Sequence, residues 1–287
     1  MDAQTRQTLI QVLTRSSLWA IHPDAIITLL RAHGEWHAAK PSMIGKGASK
    51  VAVIPIQGVL TSDGPSWLGS NYRTISDAAE QAAADSSVKR AVLAVDSPGG
   101  EVNGLPETAS IIANLAKTKT VSAIVEGDSA SAAFWLTSQA HDITLTPSGE
   151  VGSVGVRMMH MDISKMLQDF GVTVTEIHAG DYKTEWSPYK PLSDAAKEDM
   201  QSRLNAVHDE FLSAVAAGRG NRASAEIKAG RFGEGRMFSA SNALSHGLVD
   251  KVQSAREFYR AITPVEEETT HPTLPRRARL ELERRKV

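Results

Sequence analysis

The run Asp96-Ser97-Pro98-Gly99-Gly100 directly follows the apolar stretch Ala91-Val92-Leu93-Ala94-Val95. A buried strand that ends in a rigid Pro-Gly-Gly turn leaves backbone N–H groups facing open space. Such donors suit the charge that develops on a carbonyl oxygen under attack. A second turn of this kind follows, where a strand over 121–125 passes through Glu126-Gly127-Asp128 and Ser129-Ala130-Ser131-Ala132-Ala133 into an apolar helix beginning Phe134-Trp135-Leu136. A serine on a strand-to-helix turn has its Oγ exposed, and the first N–H groups of the helix lack partners within it. Ser131 is therefore a candidate nucleophile, with the amides of Gly100 and Ala132 as candidate oxyanion donors. Either turn alone reads as ordinary punctuation or a helix N-cap. Together, on neighbouring parallel strands, they point to acyl transfer, and first to peptide hydrolysis.

The pattern is not the G-x-S-x-G elbow, because position 133 is Ala and Ser131 follows Ser129. A serine hydroxyl also needs a base. His160, in Met158-Met159-His160-Met161-Asp162, could complete a Ser/His/Asp set with Asp162 or Asp142. The rival is Lys183, in Ala179-Gly180-Asp181-Tyr182-Lys183. A lysine serves as a base only where desolvation favours its neutral form, since an exposed ammonium titrates near ~10.4. The residues alone leave both open.

The elements that must position these groups follow from periodicity. Residues 1 to about 40 carry helical spacing (Leu9, Val12, Leu13, then Ile26, Ile27, Leu29, Leu30) divided by Pro23, and 41–49 are rich in Pro, Gly and Ser. This predicts a helical arm and linker over 1–46. From Val51 the pattern changes to strands over 51–56, 88–95, 120–125, 143–145 and 172–177. Helices are expected over 75–84, over 101–116 and from about 130. Strands alternating with helices predict an α/β body over 47–262 built on a mainly parallel sheet. A long helix should start after Ser193 as N-cap and reach about Ala217, and Gly247-Leu248-Val249-Asp250 closes the body. Residues 263–287 turn polar and read as a solvated tail.

Composition narrows the class. The chain of 287 residues is 41% hydrophobic, enough for a sizeable core, and its formal net charge of −2 gives no pull toward nucleic acid or anionic lipid. With no cysteine, a disulfide framework, a zinc ribbon and a cysteine nucleophile are excluded. No apolar stretch is long enough to span a bilayer, and the N-terminus lacks a basic region leading into an apolar core. A cytoplasmic protein without integral membrane contact is expected. The Met158–Met161 cluster reads as core filling rather than a metal site. The basic C-terminal residues, interleaved with Glu281 and Glu283, read as a solvated helix rather than a nucleic-acid patch.

Four motifs taken in order carry a family likeness: Asp96-Ser97-Pro98-Gly99-Gly100, Ser131-Ala132-Ala133-Phe134-Trp135-Leu136, Gly152-Ser153-Val154-Gly155-Val156 and Ala179-Gly180-Asp181-Tyr182-Lys183. Over roughly residues 50–252 the chain resembles the signal peptide peptidase A family of Ser-Lys peptidases, and within it the bacteriophage head-maturation branch of the lambda protein C type. The resemblance implies a ClpP/crotonase-like superhelix of βαβ units. It implies Ser131 as nucleophile, Lys183 as base, Gly100 and Ala132 as oxyanion amides, Ser153 orienting the lysine, and Gly99 against the substrate. It implies no cofactor or metal. Protein substrates such as scaffold, portal or capsid proteins are implied, with assembly into a homo-oligomer in host cytoplasm or prohead. Two departures stand out. Ala132-Ala133 replaces the Gly-Gly of the signal-peptide branch, and Thr184-Glu185-Trp186-Ser187-Pro188 replaces the usual turn after the lysine. The alternatives are a cellular peptidase that degrades signal peptides, crotonase-type acyl-CoA chemistry, and a catalytically silent capsid-associated protein.

Overall fold

Three apolar, β-branched runs form the centre of the sheet: β3 (Lys50–Gln57), β4 (Val88–Ser97) and β6 (Thr120–Ala130), hydrogen-bonded in parallel. In this computed structural model residues 19–21, 37–45, 50–222, 225–228 and 233–262 are described. The remaining strands are β1 (Trp19–Ile21), β2 (Ser42–Ile44), β5 (Gly99–Glu101), β7 (Asp142–Leu145), β8 (Glu150–Gly152), β9 (Met237–Ser239) and β10 (Lys251–Val252). The main sheet runs β10-β7-β6-β4-β3-β2, parallel except at the β2 edge. β8 pairs in parallel with the far end of β6, and β9 lies antiparallel to β8.

Alternation along the central strands gives both faces an apolar lining. Leu93, Val95, Ala123 and Val125 join the large core, whereas Val92 and Ile124 face the other way, toward Phe258. Helices α1 (Tyr72–Ala84) and α2 (Leu105–Thr118) cover the first face. Asn71 Oδ1 caps α1 by accepting from the Thr74 N–H at 2.8 Å, and Gly104, at φ 89°, turns the chain into α2. Phe258 belongs to α8 (Ala255–Ile262), which closes the second face.

Between these lie α3 (Ala132–Thr137), α4 (Ser164–Asp169), α5 (Asp194–Arg219), α6 (Ala225–Lys228) and α7 (Ala240–Ser245). The long α5 locks onto α3. Phe211 stacks on Trp135 at 4.7 Å, and a Cβ on Gly218 would come within 2.2 Å of the Ser138 carbonyl oxygen. Ser193 is the α5 N-cap expected from the sequence, its Oγ accepting from the Ala196 N–H at 3.2 Å. Ser193→Ala should lower the stability of the chain by about 1 kcal/mol in urea unfolding. No helix among the described residues is long and apolar enough to cross a membrane.

The structure differs from the sequence reading at four places. The helix expected from 101 begins at Leu105, because Gly99–Glu101 is held as a strand. Residues 172–177 form no strand: the stretch is exposed, and no described strand pairs with it. Ser42–Ile44, expected in the linker, is an edge strand on β3. Trp19–Ile21, expected within a helical arm, is a strand paired with β5. Residues 1–18 and 22–36 of that arm and the tail from 263 lie outside the described residues.

Candidate active site

Residues flanking the two Gly- and Ser-rich turns are brought side by side by the parallel register, which sets Ser97 opposite Ser129 after a bulge. Asp96 links them. Its Oδ1 accepts from the Asp128 N–H at 3.2 Å, and a Cβ on Gly127 would fall 2.3 Å from the same oxygen. Ser97 braces the first turn from within: its Oγ donates to the Gly58 carbonyl at 2.7 Å and accepts from the Gly99 N–H at 3.2 Å. Gly100 is fixed by contact as well as by turn geometry. A Cβ there would lie 1.8 Å from the Leu60 carbonyl oxygen, so only glycine fits.

One edge of β5 is fully engaged. Leu60 N–H donates to the Gly99 carbonyl and Glu101 N–H donates to the Leu60 carbonyl. On the same side Tyr72 Oη donates to the Glu101 carbonyl at 2.5 Å. Burial, and then the Glu101 carboxylate, push the Tyr72 phenol well above its usual range, so it stays a donor. The Glu101 carboxylate is itself buried and accepts from both the N–H and the hydroxyl of Ser62. Backbone groups alternate along a strand, so the N–H of Gly100 points to the opposite edge.

Ser131 occupies an uncommon backbone conformation, φ 53° and ψ −120°, at the junction of β6 and α3. Positive φ is costly for a residue with a Cβ and marks positions where surroundings over-determine the backbone. Here the Ser131 N–H donates to the Gly152 carbonyl at 2.8 Å, and its carbonyl accepts from the Trp135 N–H at 3.0 Å. The Ala132 N–H beside it meets no acceptor among the described residues. The sequence predicts an exposed hydroxyl, but Ser131 is 1% exposed. Its Oγ is turned inward and donates to the Gly155 carbonyl at 3.3 Å.

The Gly152–Gly155 stretch thus wraps the serine. Ser153, also at positive φ (53°), is fixed by its N–H donating to the Arg236 carbonyl at 2.7 Å. Its hydroxyl makes no hydrogen bond among the described residues and lines a cavity of about 480 Å3. Gly155, Val156 and Met158 form one wall of that cavity, and Gln201, Leu204, Asn205 and His208 of α5 form the other. His208 Nε2 is buried there without a partner. Neither the Gly155 carbonyl nor this α5 wall follows from the sequence motifs. The second glycine of Gly152-Ser153-Val154-Gly155 is the signal that could have drawn attention to the first.

Lys183 does not join this cluster. It is exposed, its N–H donates to the Gly180 carbonyl at 3.1 Å, and its ammonium contacts no acceptor among the described residues. Every residue from 171 to 183 is exposed. Met159, Met161, Phe170, Ile177 and Tyr182 present apolar surface along the same arm, so the methionines are not core filling. His160 does not reach Ser131 either. Its Nε2 lies 3.0 Å from the Ser187 carbonyl, while Asp162 accepts from the Ser164 N–H, and those Ser164 contacts hold its carboxyl below the usual range. Asp142 accepts from the Ser122 hydroxyl at 2.9 Å. The Ser/His/Asp set is not assembled in the described chain.

The description Peptidase family S49 matches residues 113–267, more than half of the sequence. The chain belongs to peptidase family S49. Its α/β body on a mainly parallel sheet has the βαβ architecture expected from that likeness. It is 37% identical over 168 residues to Putative protease MJ0651 of Methanocaldococcus jannaschii, covering 58% of this chain and 53% of that one. It is 31% identical over 211 residues to Capsid assembly protease C of Escherichia phage lambda, covering 72% and 47%. It is 29% identical over 222 residues to Head-tail preconnector protein GP5 of Enterobacteria phage P21, covering 76% and 44%. The chain spans about half the length of these relatives. Among solved structures, the 1510-N membrane-bound stomatin-specific protease aligns with a TM-score of 0.48 at 15% identity, over 76% of this chain and 85% of that one.

Proposed function

We propose that this chain is a serine endopeptidase that works by a Ser131-Lys183 dyad and processes scaffold, portal or capsid proteins during phage head assembly. The observation that carries the reading is Ser131 itself, a non-glycine residue held at positive φ beside an unspent amide. Membership of family S49 and the likeness to two phage head proteins support the biological half. Neutral Lys183 takes the proton from Ser131 Oγ as that oxygen attacks the scissile carbonyl. The N–H groups of Gly100 and Ala132 hold the oxyanion. Lys183 returns the proton to the leaving amine, and water then releases the acyl group. Gly99 lies against the substrate, and Ser153 orients the lysine.

Two motions are required of the chain as described. Ser131 Oγ must turn from the Gly155 carbonyl toward the substrate. Lys183 must lose its water. The exposed apolar side chains that share its arm supply a reason for both to happen on assembly: a second copy seated on Met159, Phe170 and Ile177 buries the arm and the lysine with it. Specific activity should therefore rise with protein concentration, in step with the mass measured by light scattering. It should also rise toward mildly alkaline pH, because the base acts unprotonated. His160→Ala should keep most of the activity, since that ring holds the Ser187 carbonyl. The deciding experiment is co-expression of candidate capsid and scaffold proteins with the wild-type chain and with Ser131→Ala, read by mass spectrometry of the products. Identical product masses in the two would end the proposal.

A further inference from the structure

The free edge of β5 is not open in this chain. Trp19–Ile21 lies on it as an antiparallel strand, with Trp19 opposite Glu101, Ala20 opposite Gly100 and Ile21 opposite Gly99. The other edge of β5 is spent on Leu60, so the N–H and carbonyl of Gly100 are the groups turned toward Ala20. An extended peptide recognised by addition to a strand edge would use these same groups. Its carbonyl would sit on the amide assigned above to the oxyanion.

We propose that Trp19–Ile21 is a pseudosubstrate strand, held in cis on the β5 edge, that an incoming peptide must displace. The proposal rests on the reading of Gly100 as an oxyanion donor, and it adds the occupant and its register. Three features favour this occupant. The segment is covalently attached, so its effective concentration at the edge is high. It runs antiparallel, as a paired peptide can on an edge strand. It also pairs with Gly99 and Gly100, so it covers the stretch that carries the assigned amide.

Occupancy in cis has a measurable signature. If the edge is covered roughly nine-tenths of the time, the apparent affinity for a peptide in trans is about tenfold weaker than the intrinsic one. Proline at position 20 removes the N–H that faces the Gly100 carbonyl, so Ala20→Pro should open the edge. The experiment uses the full-length chain carrying Ser131→Ala, with and without Ala20→Pro. The probe is a fluorescein-labelled synthetic peptide with the sequence of residues 14–26, and binding is read by anisotropy. A second probe carries proline in place of Ala20.

The expected result is a gain of about tenfold in affinity for the first probe on Ala20→Pro and no binding of the second. Hydrogen exchange at Gly100 should rise in the same variant, with far-UV circular dichroism unchanged. Equal affinity with and without Ala20→Pro, binding of the proline probe, or unchanged exchange at Gly100 would each overturn the proposal. If Ala20→Pro perturbs the dichroism, deletion of residues 19–21 in the same background provides the second reading under the same criteria. None of these measurements needs catalysis. Failure of the peptidase reading shows separately, as equal peptide hydrolysis by wild type and Ser131→Ala.

Discussion

Ser131→Ala and Lys183→Ala should each abolish peptide hydrolysis, with kcat falling about 10⁶-fold for the serine, as in serine peptidases that lose their nucleophile. Ser131→Ala removes one oxygen that is hydrogen-bonded only weakly, at 3.3 Å, and leaves the backbone pairing to Gly152 intact. The variant should fold. Lys183 is exposed, and its ammonium has no partner among the described residues, so Lys183→Ala should melt within a degree or two of wild type. A loss of activity without a loss of stability would then be chemical in origin. Lys183→Arg is the sharper probe, because guanidinium keeps the charge and cannot give up its proton. It too should be inactive. Hydrolysis by Lys183→Ala within tenfold of wild type, combined with loss in His160→Ala, would move the base to His160.

The second large effect concerns stability. Arg219, whose side chain is 0% exposed, donates from Nη2 to Asp250 Oδ1 at 2.8 Å and from Nε to the Gly247 carbonyl at 3.0 Å. Asp250 Oδ2 accepts from the Ile143 N–H at 2.7 Å, so one carboxylate joins α5 to the start of β7. Removing it strands a buried guanidinium whose Nη1 already lacks a partner. Asp250→Ala should cost about 3 kcal/mol, the lower end of the range for breaking a buried pair, because Asp250 keeps some exposure. Urea unfolding should show the midpoint falling with the slope unchanged.

The pair also sets an acid limit. Burial works to raise the Asp250 carboxyl, but the Arg219 hydrogen bond and charge, the Ile143 N–H and Arg222 outweigh it and leave the group below its usual range. A depressed folded-state value contributes stability that is present above the unfolded carboxylate value, about 4, and lost as pH falls through the lower folded one. Asp250→Asn should therefore flatten the acid side of the stability profile.

Much of the scaffold was legible because buried parallel strands read as continuous apolar runs. The runs at 88–95 and 120–125 fall inside β4 and β6, and Ser193 marks the start of α5. Residues 172–177 carry an equally strand-like pattern, yet a strand needs a neighbour and no described strand pairs with them. Local sequence cannot report that absence. For the same reason the edge strand at 42–44 and the pairing at 19–21 were invisible: each depends on a partner distant in the chain. At the candidate site, the turns that carry Ser131, Gly100 and Ala132 were legible. The inward rotamer of the serine was not, because the carbonyl that draws it belongs to Gly155, beyond the next strand.

The positive φ of Ser131 has a consequence for heat tolerance. A residue with a Cβ held there carries roughly 1–3 kcal/mol of strain, which glycine at the same torsion would not. Ser131→Gly should therefore yield an inert protein that melts up to about 3 °C above the native one, glycine's greater freedom in the unfolded chain offsetting part of the gain, and a thermal scan would show it. Selection for robustness alone would erase the hydroxyl. On the proposed reading, this chain gives up some resistance to unfolding in exchange for a poised oxygen.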